Sequence, residues 1–247
     1  MSSPFRLLNK PSTLKLLSSL ILSLCFISVH ATDNDQNQKN LAKLKKEGPQ
    51  ASTKKIEGKV WPEVTVMAYI PASPLESAGI FAAFDYQKEY IPNLKKSEVI
   101  KEEIKEKSQG KISTIHVSYL MDMPWPVSDS EYINGHTFSQ NKDKKSFTVK
   151  WFMVKSDSAE DLEGQASFSP FPGEEKATLM IYKAHVDPKS FIAGALRKFM
   201  VKDVLASVKA TTKEIEKLKK DESKLIKKYA DIFRDILSGK RAYLLKS

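Results

Sequence analysis

The chain has 247 residues with 41% hydrophobic and 28% charged side chains, a net charge of +10 and one cysteine. This length gives one domain with extensions and an ample core, while a lone cysteine excludes a disulfide-stapled scaffold. The basic excess is interleaved with acid, as in Lys213-Glu214-Ile215-Glu216-Lys217, which describes a solvated surface and no nucleic-acid site, with attraction to anionic lipid headgroups as its residual use.

Arg6, Lys10 and Lys15 precede an apolar run from Leu16 to Val29, and Val29-His30-Ala31 supplies a small-residue cleavage pattern. The run is shorter than the roughly 20 residues a spanning helix needs. Residues 1–31 are therefore expected to be a cleaved secretory signal, with an uncleaved anchor as the alternative, and the protein is expected in the periplasm or outside the cell. Cys25 lies inside the run, where Leu24 is not the small residue that a lipoprotein signal wants before its cysteine. Cleavage removes that cysteine, and thiolate chemistry with it.

Residues 32–57 are polar, broken by Gly48-Pro49 and Ala51-Ser52-Thr53, without a sustained apolar period. They read as a linker or disordered arm in which Leu41 and Leu44 support one helical turn at most. Composition changes at Val60, where a domain over 58–220 begins. Val60 to Ile70 is a first strand, with Pro62 holding its start at an edge. Ser73 or Pro74 opens a short helix through Phe84, and a second turn over 85–90 ends before Pro92. Apolar alternations follow near 95–107, 111–123, 130–142, 145–157, 162–171 and 176–187, separated by turn residues at Gly110, Asn141-Lys142-Asp143 and Pro172-Gly173. Six strands with short connections make an antiparallel meander. Phe147, Val149, Trp151 and Met153 mark one buried face, and Thr178, Met180, Tyr182 and Ala184 another.

Asp187-Pro188 and Ser190 open a long helix over 190–219. At 100° per residue, Lys198, Lys202, Lys209, Lys213 and Glu216 form one narrow charged stripe, and the rest of its circumference is apolar. Such a helix needs cover on more than one side, which a curved sheet provides. Two charges, Arg197 and Asp203, fall in apolar sectors. Either Arg197 reaches the helix flank and Asp203 meets a strand lysine, or Arg197 awaits a carboxylate or phosphate on an apolar ligand, with room left by Ala193, Gly194 and Ala195. Beyond Asp221-Glu222-Ser223 a second stripe, from Leu225 and Ile226 to Ile236 and Leu237, makes 221–247 an amphipathic helical extension. It is expected to fold back on the domain, with a dimer contact or a membrane surface as alternatives.

Two stretches carry a resemblance. Tyr90-Ile91-Pro92-Asn93-Leu94 with Lys95-Lys96-Ser97-Glu98-Val99-Ile100 resembles the helix-to-second-strand junction of the polyketide-cyclase and coenzyme-Q-binding branch of the START-like superfamily. Met123-Pro124-Trp125-Pro126-Val127-Ser128-Asp129-Ser130-Glu131-Tyr132 is similar to the Pro-Trp-Pro-Val-Ser-Asp-Arg-Asp loop of START lipid-transfer domains, with Ser130 in place of the arginine and Glu131 in place of the last aspartate. The resemblance implies an α+β helix-grip fold, about seven antiparallel strands wrapped around the long helix. It also implies binding, and transfer, of a lipid or other hydrophobic molecule between sheet and helix. The expected ligand-binding residues are Trp125, Trp151, Met153, Tyr182, Gly194, Arg197, Met200 and Val204; Trp125 otherwise plugs the barrel end.

Chemistry is sparsely encoded. His116, His136 and His185 stand far apart without metal-ligand spacing, and His116 shares the less apolar face of its strand, pointing outward. No phosphate loop or nucleophile elbow is present, so no metal, cofactor or catalytic residue is assigned. A cyclase- or dehydratase-like enzyme is the alternative, using Asp122 with Tyr69, Tyr119 or His136 as an acid/base pair. An interaction module built on the last helix, giving an oligomer through 221–247, is the other.

Overall fold

In the computed structural model the described residues are 38–107, 110–123, 128–189 and 193–239, so residues 1–31, Trp125 and the Ser190 helix start lie outside them. The chain divides into two compact units, residues 1–43 and 44–247. Of the first, 38–43 are described and are helical. All that follows concerns the second.

Period-two alternation produces the strands where it is strongest. The strands β2 (Glu63–Ile70), β3 (Leu94–Lys107), β4 (Gly110–Met121), β5 (Ser130–Asn141), β6 (Ser146–Ser156), β7 (Ala159–Phe171) and β8 (Glu174–Pro188) match the seven expected ones. They are joined by an eighth, β1 (Gln50–Lys54), in one antiparallel sheet of order β1-β2-β8-β7-β6-β5-β4-β3. β1 corrects the reading of 32–57 as an arm. Four of its five side chains are exposed, so it shows no apolar alternation, and its backbone bonds to β2 hold it in place. Register shifts at Val99/Lys101, Ile133/Asn134 and Ala159/Asp161 introduce bulges, which bend strands and raise their twist.

Three helices cover the inner face. Helix α1 (Pro74–Phe81) starts at a capping box in which Ser73 and Glu76 satisfy each other's backbone amides, and a 3₁₀ turn over Gln87–Glu89 follows. Helix α2 (Ala193–Lys220) is the long one, and its charged stripe at Lys198, Lys202, Lys209, Lys213 and Glu216 is exposed as the wheel predicts. The chain then reverses: Glu222 adopts a positive φ of 49° and the Ser223 amide donates to the Leu218 carbonyl at 2.9 Å. Helix α3 (Lys224–Leu237) folds back and buries Ile226, Tyr229, Ile232, Phe233 and Ile236.

The amphipathic stripe from Leu225 to Leu237 is thus covered by its own chain, the first of the arrangements expected for it. Its helix belongs to the core and does not extend from it. At the α1–α3 crossing a Cβ on Gly79 would stand 2.8 Å from the backbone at Tyr229 and Ala230, so glycine permits the close approach.

Candidate functional site

Beneath the first half of α2 the core is not filled. A cavity of about 280 Å³ lies between that helix, the end of α1 and the inner face of the sheet. Met200, Val204 and Val208 form its roof; Phe81 and Phe84 come from the α1 side; Trp151, Tyr182 and Ala184 come from β6 and β8. The Trp151 and Tyr182 rings lie 5.0 Å apart at 35°, an aromatic contact that fixes one wall. Gly164, opposite Trp151 in the register, makes room for the indole: a Cβ there would run into the Trp151 ring and come within 2.5 Å of the Lys183 carbonyl oxygen.

Of the residues expected to bind ligand, Trp151, Tyr182, Met200 and Val204 line this cavity. Met153 does not. The register keeps it on the inward face opposite Asn134, but the wall there is completed by Ser156: Val154 is an extra residue between Asn134↔Met153 and Ile133↔Lys155 that reverses the alternation beyond it and turns Ser156 inward. Arg197 does not line it either: it is exposed. The helical wheel gave it the angle of Val204 and Val208, but it stands four residues after Ala193, the first residue of α2, and its long side chain reaches water, avoiding the cost of unpaired burial. Gly194 is part of α2, and its surroundings, like Trp125, lie outside the described residues.

Asp203 is the charge that faces the cavity. It meets no strand lysine; Asn93 Nδ2 donates to its carboxylate at 2.9 Å, and burial pushes its carboxyl up from the ordinary range. Among the described lining residues none is Lys or Arg.

The polar part of the wall comes from β4 and β5. Tyr132, Asn134 and His136 alternate on the inward face of β5, with Tyr119 beside them on β4. His136 Nε2 lies 3.1 Å from the Tyr119 hydroxyl, and its ring packs 4.3 Å from that of Phe84. Asn134 Oδ1 and His136 Nδ1 are buried with no hydrogen-bond partner among the described residues. Burial pushes the His136 imidazole down to about 3 and the Tyr119 phenol well up. Proton transfer works best between groups whose pKa lies near the working pH, so this pair is set to hydrogen-bond rather than to exchange protons. The other partners considered for acid/base work are elsewhere. Asp122 is exposed and ion-paired to Lys95 at 2.9 Å, and the Tyr69 hydroxyl donates to Glu174 at 3.1 Å. Asn134 was not singled out in the sequence; a polar pair between Tyr132 and Phe138 on an inward face was the signal that pointed to it. His116 is partly buried, with Nε2 3.8 Å from Glu103.

No family model and no curated relative matches the sequence. Solved structures do match in fold. The STAR-related lipid transfer protein from Xanthomonas axonopodis superposes with a TM-score of 0.58 at 16% identity, over 68% of this chain and 94% of that one. Human STARD10 does so with a TM-score of 0.53 at 15% identity, over 79% of each chain. Human StAR-related lipid transfer protein 5 gives 0.51 at 9%, over 67% and 82%. At these identities the likeness is one of fold. The chain has a START-like, α+β helix-grip fold, with eight strands where about seven were expected.

Proposed function

We propose that this protein binds a small hydrophobic molecule, a lipid or a part of one, in the cavity beneath α2, and shields it from water during passage between membranes. The observation that carries this reading is the cavity itself: about 280 Å³ lined mainly by aromatic and aliphatic side chains within an otherwise packed core. A space of this kind is the usual form of a small-ligand site, and the similar solved structures named as lipid-transfer proteins support it. Trp151, Tyr182, Met200 and Val204 are the wall residues assigned to ligand contact. The apolar run Leu16 to Val29 is assigned to export, with cleavage near Ala31; amino-terminal sequencing of the protein recovered from cells tests that, and an intact Met1 would refute it.

The binding test is native mass spectrometry of purified protein followed by solvent extraction. Enrichment of a defined apolar compound over its abundance in the host extract is expected. Protein that emerges empty and takes up no apolar compound from lipid vesicles would refute the reading.

A further inference from the structure

Among the described residues that line the cavity one side chain is charged, and it is the carboxylate of Asp203. Its neighbours one turn away on α2, Phe199, Met200, Ala206 and Ser207, carry no charge. Its partner is the neutral side chain of Asn93, which donates at 2.9 Å, and no cation pairs with it among the described residues. Burial pushes its carboxyl up, as for any carboxylate that lacks a positive neighbour.

Beneath the helix the sheet repeats this sign. Two ring pairs line the cavity, Trp151 with Tyr182 at 5.0 Å and Tyr119 with Tyr132 at 5.2 Å, and the faces of such rings attract cations. Asn134, 4% exposed, lines it with a carboxamide oxygen that meets no hydrogen-bond partner among the described residues. His136, kept neutral by burial, adds no positive charge. An anion brought into this space has nothing to receive it. A cation meets a carboxylate from which folding has already withdrawn water, so pairing regains part of a cost already incurred. At about 280 Å³ the space lies near the lower end of small-ligand pockets, which run from about 300 to about 1,000 Å³, so the apolar body it takes is compact.

Resting on the reading of this cavity as a small-ligand site, we propose that its ligand is a compact organic cation, an apolar ring body carrying an ammonium group that pairs with Asp203.

The test titrates the full chain by calorimetry at neutral pH with three probes that share one ring body: 2-(aminomethyl)naphthalene, a cation; 2-(hydroxymethyl)naphthalene, which is uncharged; and the anion 2-naphthoate. The amine is expected to bind about tenfold more tightly than the alcohol, a difference of about 1.4 kcal/mol, and the naphthoate most weakly. Asp203→Asn should bring the amine to the level of the alcohol and leave the alcohol unchanged. A second measurement needs no variant: the titration of the Asp203 carboxyl, followed by its ¹³C shift, should move to lower pH with the amine bound and stay in place with the alcohol. An amine no tighter than the alcohol, a preference for naphthoate, a selectivity that survives Asp203→Asn, or a carboxyl titration that the amine does not lower would each overturn the inference and leave the cavity reading intact. Binding of none of the three would overturn the cavity reading, and the inference with it.

Discussion

A histidine held neutral by burial ties stability to pH. Unfolded, His136 titrates near 6.5; folded, it is pushed down to about 3. Between those values the unfolded state binds more protons than the native one, so the stability contribution is whole above about 6.5 and is lost as pH falls toward 3. The steepest loss is about 1.4 kcal/mol per pH unit. Urea midpoints measured across that window should fall less steeply for His136→Phe than for the wild type; parallel curves would show that the imidazole does not sense the cavity. Gly164 acts at the same scale through space alone. Gly164→Ala forces its methyl against the Trp151 ring and the Lys183 carbonyl, and the variant should lose roughly 1–3 kcal/mol to overpacking, read as a lower urea midpoint at unchanged slope.

Among the elements, α3 decides how the domain is closed. Its Phe233, 1% exposed, meets Phe138 and Phe147 edge-on at 5.8 and 5.7 Å, so this helix fills the end of the sheet that α2 does not cover. Phe233→Ala should cost roughly 3–5 kcal/mol, as for an aromatic deleted from a packed core, with no change in sedimentation behaviour. A shift in assembly state at unchanged thermal stability would instead restore the reading of this stripe as an interface. The link between α1 and α2 is of another kind: Lys219 Nζ lies 2.7 Å from Glu76, the residue that closes the α1 capping box. A partly exposed pair of this sort contributes little by itself, and the apolar contacts around it set the packing.

For the molecule as a whole, the consequence of a cavity is that it can be closed without dismantling the fold. Val204 is half-buried in the roof of the cavity. Val204→Trp should occupy the space, reduce uptake of an apolar fluorophore at least tenfold, and leave the melting temperature at or above that of the wild type, since filled voids regain lost contacts. Uptake that survives this substitution would place the binding site elsewhere. Here the local patterns run out. The strands and α2 were legible because burial on one face of a regular element repeats at a fixed period, and the boundaries from β3 to β8 follow that period closely. Ser156 was missed because a single extra residue at Val154 reverses the period beyond Met153, and no composition marks it. For Arg197 the wheel left two places open, and its exposure is that of the first, the helix flank, because a wheel carries angle without position along the axis.

The sequence by itself determined the element order, the exposed lysine stripe of α2, the amphipathic stripe of α3 and, through the Tyr90 and Met123 stretches, the helix-grip class. These are local or periodic properties, fixed by what each residue gains from burial at its own place in a strand or helix. Tertiary structure alone decided three things: that β1 pairs at the edge, that α3 folds back and does not project, and that Tyr119, Asn134 and His136 converge on one cavity beside Trp151. Each depends on register and packing between segments distant in sequence, where backbone hydrogen bonds and shape, which composition does not encode, select one arrangement.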